Sequence, residues 1–475
     1  MGPEFMKILL LVCILAPLGG ACLLPLAGRR SEKLRNYLAL GLVLLALGCA
    51  AALLPAVLRG ETPSVLFDLP LGLRFGFRAD ALALFMALAS TLAASVIVIY
   101  AFGYMEEYEF QNEFYMMVVL FIGAMMGLVF STSLIYLYVF WEISSLCCWR
   151  LIGFYRHGLE VERADKAFLI TVLGALVMLV GFFGIYGQTG TFDLEAMRGV
   201  RIPGWTVVCV LCGILAKSAT FPLHSWLPDA GVAPSPATSL LHAAVLVKIG
   251  VYAYARLFVL TFEIDQVFTV AVPVVAAVSA LFSAGCAMLA TDIKREIAYS
   301  TISQLAFILL GLSSGTKAGF VGGLLYILAH SLAKGGLFLC AGIVEHNLHT
   351  KDFMKMGGLA RNFPVTAVAF TLCAFSVMGI PPFAGFFAKY LVIDGVVDAG
   401  HPALGFVFIL GAIMTVVYLT RVFIKVFLGP PHDAQVREGT RGMTLCALAL
   451  GILSLALGFL IFLPMGLAEL AWGVL

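Results

Sequence analysis

Long apolar runs separated by short polar segments dominate this chain. Fourteen of them come close to or exceed the roughly 20 residues that a helix needs to cross the hydrocarbon core of a bilayer. They fall near residues 7–27, 36–58, 80–104, 113–131, 132–154, 165–187, 204–226, 236–260, 266–290, 296–314, 318–344, 363–399, 403–428 and 443–473. The pattern predicts an all-α, polytopic membrane protein with about 14 transmembrane helices.

Two of these predicted helices, the seventh and the twelfth, contain prolines that interrupt them. Pro222 and Pro228 break the seventh, and Pro381 and Pro382 break the twelfth, which is also too long for one straight span. Pro228 and Pro381 are 153 residues apart, the same offset that separates the starts of the fourth and ninth runs. Discontinuous helices in corresponding positions are typical of transporter repeats. We expect two five-helix repeats, inverted because five is an odd number of crossings.

This reading divides the chain into five parts. Residues 1–5 are typical of a cloning remnant, with Met6 the expected native start. The other parts are three N-terminal helices over 6–112, the first repeat over 113–262, the second over 263–428, and the fourteenth helix over 429–475. Fifteen basic residues follow odd-numbered runs and eight, Arg256 among them, lie in the N-terminal tail or follow even-numbered runs, which predicts both termini outside the cytoplasm.

Composition agrees with this class and restricts the chemistry. The chain is 62% hydrophobic and only 12% charged, which excludes an ordinary soluble domain. A net charge of +2 gives no sign of a nucleic-acid partner, and the eleven cysteines have no metal-ligand spacing. We find no hydrolytic or redox motif, so we expect no metal or cofactor bound by this chain.

Ionisable residues inside the apolar runs are the candidate functional groups. A charge at membrane depth costs roughly 2.5–3.5 kcal/mol even on insertion scales, so such residues are normally retained for function. Lys217 precedes the first break, and Glu142 is its expected partner on the fifth predicted helix. Lys248 lies near mid-span, where burial disfavours the charged form and suits a proton acceptor.

The second half of the chain carries further groups of this kind. His330 and Lys334 are one helical turn apart on one face, a spacing that suits a proton relay, and Lys389 follows the second break. Tyr252 shares a face with Lys248, while His242 lies on another. With His224 in the first break, these two are accessory candidates. The alternative interpretation is that Glu142 and the histidines are hydrogen-bonded packing residues.

The motifs around these residues resemble the complex I/Mrp antiporter-like subunit family. Lys217-Ser-Ala-Thr-Phe-Pro-Leu-His-Ser-Trp-Leu-Pro-Asp229, Asp292-Ile-Lys-Arg-Glu-Ile-Ala-Tyr-Ser-Thr-Ile-Ser-Gln304 and Gly379-Ile-Pro-Pro-Phe-Ala-Gly-Phe-Phe-Ala-Lys389 carry the resemblance, with Trp141-Glu142 and His330-x-x-x-Lys334. It covers roughly residues 80–430. Within the family, the run 121–129 is most similar to the D subunit of hydrogenase-4 and its formate hydrogenlyase relatives.

The resemblance implies a role for each candidate. Glu142 and Lys217 would form the charge pair of a first half-channel, Lys248 would be the central lysine, His330 and Lys334 the linking relay, and Lys389 the terminal lysine. The chain would translocate protons as one member of a redox-driven complex, with other membrane subunits of a respiratory or hydrogenase complex as partners, in a prokaryotic inner membrane. An Mrp-type Na⁺/H⁺ antiporter subunit and a non-transporting membrane scaffold are the alternatives.

Overall fold

The computed structural model of the protein describes residues 2–68, 74–429 and 436–473. The described chain is almost entirely helical, which confirms the predicted all-α class. The helices are α1 (Pro3–Ala21), α2 (Leu24–Arg30), α3 (Glu32–Leu58), α4 (Ala81–Tyr104), α5 (Gln111–Phe130), α6 (Leu134–Ile152), α7 (Gly158–Thr189), α8 (Gly204–Lys217), α9 (Trp226–Asp229), α10 (Ser235–Ser239), α11 (Leu246–Tyr254), α12 (Gln266–Leu289), α13 (Ile293–Ser313), α14 (Lys317–Leu348), α15 (Pro364–Met378), α16 (Ala384–Asp398), α17 (Pro402–Phe423), α18 (Arg441–Phe459) and α19 (Phe462–Trp472).

Within these described ranges, twelve helical segments are long and apolar enough to cross a membrane. The protein is therefore a multi-pass membrane protein, as predicted. The two proline-interrupted helices are each made of two shorter pieces, α8 with α9 and α15 with α16. A total of fourteen crossings and the inverted repeat stay predictions.

Polar side chains define where several membrane helices begin. Ser31, Asp80, Asp292, Thr316 and Thr440 each occupy the N-cap position, and each side chain accepts a hydrogen bond from the backbone N–H three residues later. Such caps satisfy N–H groups that the first helical turn leaves free. They fix the ends of α3, α4, α13, α14 and α18.

Short strands order two of the connections, which the apolar pattern did not reveal. Strands β1 (Ser64–Asp68) and β2 (Arg74–Arg78) form an antiparallel hairpin, and the residues between them lie outside the described part of the chain. Strands β3 (Val200–Arg201) and β4 (Phe262–Glu263) pair in parallel. The second pair joins the segment before α8 to the segment before α12.

The long helix α14 lies at the centre of the second half. It packs against α4, α13, α15, α16 and α18, and it is buried along most of its length. Gly322 allows the closest of these approaches, because a Cβ there would stand 2.7 Å from the backbone nitrogen of Val392. Small residues at such crossings are typical of membrane helix packing. The tight packing brings the ionisable residues of α14 next to those of its neighbours.

The structure corrects the assignment of Arg256 to a loop. Arg256 lies in a π-helical turn, Ala255–Val259, that continues α11. Its guanidinium forms an ion pair with Asp80, with Nη1 2.6 Å from Oδ2. This partner explains how an arginine can lie within a membrane helix, since a paired charge avoids much of the desolvation penalty. Pro3–Phe5 continue the first helix, whereas Met1 lies outside the described residues.

A buried line of lysines and histidine

The first helix break is covered by protein on both sides. After α8 ends at Lys217, the indole nitrogen of Trp226 donates to the carbonyl of Ala216 at 3.0 Å. The backbone N–H of Phe221 donates to the hydroxyl of Ser279 at 3.0 Å. Irregular backbone is tolerated at membrane depth where such groups satisfy it. The break therefore holds a defined conformation next to Lys217.

Lys217 is fully buried and is held by one neighbouring helix, α6. Its Nζ donates to the carbonyl of Trp141 at 3.1 Å and to the hydroxyl of Ser145 at 2.7 Å. It also lies 5.4 Å from the centroid of the Trp141 ring. These acceptors stabilise an ammonium, and the aromatic ring adds a cation–π contact. Lys217 can thus hold a proton without a carboxylate in contact.

Glu142 follows Trp141 but points differently from the lysine. Among the described residues it makes no ion pair with Lys217, and its buried Oε1 has no hydrogen-bond partner. The side chain is half-buried, on a face of α6 where Val139 and Leu146 are 43% and 51% exposed. The predicted charge pair is therefore separated here, with its acidic member close to the protein surface.

The centre of the line is a hydrogen bond between Lys248 and His330. Their Nζ and Nδ1 atoms are 2.6 Å apart, and both side chains are buried. The helix that carries Lys248 packs closely on α8, because a Cβ on Gly250 would stand 2.7 Å from the carbonyl oxygen of Ile214. One proton occupies a hydrogen bond of this kind, so one of the two groups is neutral. The contact joins the first half of the molecule to α14.

Lys334 lies one turn beyond His330 and is held by α13. Its Nζ donates to the carbonyl of Ile297 at 3.2 Å and to the hydroxyl of Ser300 at 2.5 Å. The arrangement repeats that of Lys217, where a carbonyl and a serine hydroxyl of one helix also hold the ammonium. The two sites therefore share a chemical design.

A chain of polar side chains continues from Lys334 toward Lys389. The Ser300 hydroxyl lies 2.7 Å from the hydroxyl of Tyr418, which accepts from Gln304 Nε2 at 3.2 Å. The hydroxyl of Tyr326 then donates to Gln304 Oε1 at 2.5 Å. The sequence pattern assigned these residues no role. Their polarity within apolar runs is the signal that would have identified them.

Lys389 is bound to the second break itself. Its Nζ donates to the carbonyl of Val377 at 2.7 Å, in the last turn of α15. It also lies 4.6 Å and 5.6 Å from the ring centroids of Phe307 and Tyr326. Gly379 has a φ of +84°, and a Cβ there would stand 3.1 Å from the lysine side chain. Glycine thus permits both the turn and the close approach of Lys389.

The accessory candidates take different positions. His242 lies buried in a π-helical turn against Phe338, and neither ring nitrogen has a hydrogen-bond partner within the described residues. Tyr252 donates to the carbonyl of Val129 at 2.6 Å and accepts from Arg256. His224 lies at the half-exposed break, where it packs on aromatic rings and contacts none of the described lysines of the line.

One buried acid escaped notice in the sequence. Glu296 is fully buried near the start of α13, and neither carboxylate oxygen has a hydrogen-bond partner among the described residues. It directly precedes Ile297, whose carbonyl binds Lys334. It follows the polar segment Asp292–Arg295, so the apolar pattern placed it at the edge of a span. Its helix in fact begins three residues earlier.

The fold and the sequence together assign the chain to a family. The family profile described as "NADH:quinone oxidoreductase/Mrp antiporter, TM" matches residues 131–415. A second, described as "NADH-Ubiquinone oxidoreductase (complex I), chain 5 N-terminus", matches residues 69–115. The chain belongs to this family of NADH:quinone oxidoreductase and Mrp antiporter membrane subunits.

Individual relatives come from both branches. NADH-quinone oxidoreductase subunit L of Mycobacterium tuberculosis is 36% identical over 448 residues, covering 88% of this chain and 70% of that protein. NAD(P)H-quinone oxidoreductase subunit 5 of Anthoceros angustus is 34% identical, covering 78% of this chain and 53% of that protein. The A subunit of the Na⁺/H⁺ antiporter of Alkalihalophilus pseudofirmus is 33% identical, covering 82% and 53%. The chain thus spans little more than half the length of several relatives.

Solved structures show the same fold over nearly the whole chain. A chain of the Mrp complex from Dietzia sp. has a TM-score of 0.90 at 24% identity, covering 99% of this chain and 97% of that one. A chain of respiratory complex I from Thermus thermophilus has a TM-score of 0.86 at 25% identity, covering 98% of each. Both neighbours come from multi-subunit membrane complexes. The narrower resemblance to the hydrogenase-4 D subunit stays a prediction.

Proposed function

We propose that the chain is the proton-translocating, antiporter-like membrane subunit of a redox-driven complex. The observation that carries this proposal is the buried Lys248–His330 hydrogen bond, which joins the Lys217 site to the Lys334 site. A row of buried amines that are hydrogen-bonded to carbonyls, hydroxyls or imidazole can take up and release protons in sequence. Ionisable residues inside membrane proteins typically mark such pathways.

The position of Glu142 supports coupling to a neighbouring subunit. A carboxylate on an otherwise apolar outer face is unfavourable in lipid, so a partner protein would cover it. Movement of Glu142 toward Lys217 would strengthen the hold on the lysine's proton, and movement away would release that proton toward Lys248. Two unit charges 4 Å apart interact by about 4 kcal/mol at an effective dielectric constant of 20. Moving one charge against 100 mV takes about 2.3 kcal/mol, so the available interaction is large enough.

The inverted repeat is part of the same proposal. The third helices of the two proposed units, α7 and α14, both have 32 residues. The fifth helix of each unit ends in a π-helical turn, at Ala255–Val259 and Ile424–Leu428. These correspondences favour units over 113–262 and 263–428, flanked by 6–112 and 429–475. We place the chain in a prokaryotic inner membrane with both termini outside the cytoplasm, beside other membrane subunits of a respiratory or hydrogenase complex.

The test uses the whole complex in everted membrane vesicles of the native host. Lys217→Ala and Glu142→Ala are each expected to lower the rate of proton translocation by about 100-fold, the lower end of what a positioned proton-transfer group contributes. Quenching of a pH-sensitive acridine dye measures the rate, with NADH, hydrogen or formate as the electron donor. Lys33→Ala is the control, because this lysine is exposed. Unchanged translocation in both assembled variants would contradict the proposal.

A second candidate is membership of an Mrp-type Na⁺/H⁺ antiporter. Its specific support is the relative from the Na⁺/H⁺ antiporter of Alkalihalophilus pseudofirmus, since the same lysines serve exchange equally well. A pulse of NaCl without any electron donor distinguishes the two. It should collapse a preformed pH gradient only if the complex exchanges Na⁺ for H⁺. A non-transporting scaffold would show neither response, and its lysine variants would change assembly alone.

A further inference from the structure

Glu296 differs from every charged residue around it on α13 in lacking a partner. Lys294 forms an ion pair with Glu345 at 2.5 Å, and Arg295 forms one with Asp229 at 3.6 Å. Both oxygens of Glu296 lack a hydrogen bond in the described structure although the side chain is fully buried. Buried polar groups are nearly always hydrogen-bonded, so an unpaired buried carboxyl needs a functional or structural explanation.

The surroundings of Glu296 connect the membrane edge to Lys334. The basic groups whose charges act on it are Arg421 and Lys334, and Tyr418 also lies within electrostatic range. Arg421 is half-buried near the end of α17 and donates to the carbonyl of Met288 at the end of α12. Lys334 is fully buried. Glu296 therefore lies between a group near the surface and the interior lysine.

The helix face of Glu296 is polar along two turns. Ser300 and Ser303 follow at spacings of four and seven residues, which places all three on one side of α13. Ser300 binds Lys334, and the buried hydroxyl of Ser303 has no partner among the described residues. A carboxyl that changes its rotamer along this face has hydroxyl groups to bind at each step.

We propose that Glu296 is an additional proton carrier that supplies Lys334 from the membrane face where α13 begins. The inference rests on the proposed proton-translocating function. In the step itself, the neutral carboxylic acid of Glu296 gives its proton to the neutral amine of Lys334, which leaves a carboxylate and an ammonium. The carboxylate then takes a proton from water near Arg421. The ammonium passes its proton on through His330.

The test compares assembled complexes in the vesicle assay described above. Glu296→Gln keeps the shape of the side chain but removes the exchangeable proton, so proton translocation should fall by about 100-fold. Glu296→Asp should restore part of the rate, which a purely packing role would not explain. Glu162→Gln, at an exposed glutamate, should match the parent protein.

The outcomes separate this inference from the function on which it rests. Normal translocation in Lys217→Ala would refute the proposed function itself. Loss in Lys217→Ala with a normal rate in Glu296→Gln would refute only the role of Glu296. If Glu296→Gln does not assemble, dicyclohexylcarbodiimide decides in the parent complex, since it modifies protonated carboxyls in apolar surroundings. An adduct on the Glu296 peptide supports the inference, and an unmodified peptide overturns it.

Discussion

The Lys217 and Lys334 sites hold their lysines in the same way but place the nearby glutamate differently. In each, a backbone carbonyl and a serine hydroxyl of one helix bind the ammonium. Glu142 is half-buried on an outer face, whereas Glu296 is fully enclosed. A neighbouring protein of the complex can therefore act directly on the first site. The second site responds only to groups inside the chain.

This difference suggests a division of work between the two halves. The first half would receive the signal from the partner protein, and the second would store and deliver protons within a closed polar network. The Lys248–His330 contact is the direct hydrogen bond between them in the described structure of the line. Variants at each place test whether the halves depend on each other.

Substitution of the connecting lysine should have the largest effect. Lys248→Ala removes the hydrogen bond to His330, and we expect proton translocation to fall by about 100-fold or more. The dye-quenching assay in everted vesicles measures this, with the amount of assembled complex checked by native electrophoresis. Lys317→Ala is the control, since Lys317 is exposed and pairs with Glu469 at the surface. A rate above half of the parent value in Lys248→Ala would mean that the two halves work independently.

The matched serines test whether the two lysine sites are equivalent. Ser145→Ala and Ser300→Ala each remove one hydrogen bond to a lysine. Hydrogen bonds to charged groups contribute about 1.5–3 kcal/mol, so translocation should fall by roughly tenfold or more in each variant. Ser300→Ala should show the larger loss, because Tyr418 loses a partner as well.

The control for these two variants is Ser454→Ala. Ser454 is buried in α18, and its hydroxyl has no hydrogen-bond partner among the described residues. Its removal should leave the rate unchanged. A loss in Ser145→Ala combined with a normal rate in Ser300→Ala would show that the resemblance of the sites is only geometric.

The sequence revealed the lysines because a charge inside an apolar run is conspicuous. It also placed both helix breaks, since proline interrupts a helix wherever it falls in the interior. The groups that bind the lysines were not predictable in this way. Lys217 binds a backbone carbonyl 76 residues away, and an acceptor of that kind leaves no mark in the sequence.

Two further features depended on long-range packing. Asp80 and Arg256 are 176 residues apart, and each alone resembled a residue at a loop boundary. Glu296 was assigned to the edge of a span because three charged residues precede it within four positions. Helix α13 begins at Ile293 only because Asp292 caps it, and this early start carries Glu296 into the protein interior.

The smallest effect that we expect concerns the network beyond Lys334. Tyr418→Phe removes the hydroxyl that joins Ser300 to Gln304 and leaves the aromatic ring in place. A hydrogen bond contributes about 1 kcal/mol net, so the rate should fall roughly fivefold. Tyr390→Phe, at a tyrosine that is 58% exposed, is the control. If Tyr418→Phe matched this control, the polar chain from Lys334 toward Lys389 would be structural, and the second half would deliver its protons by another route.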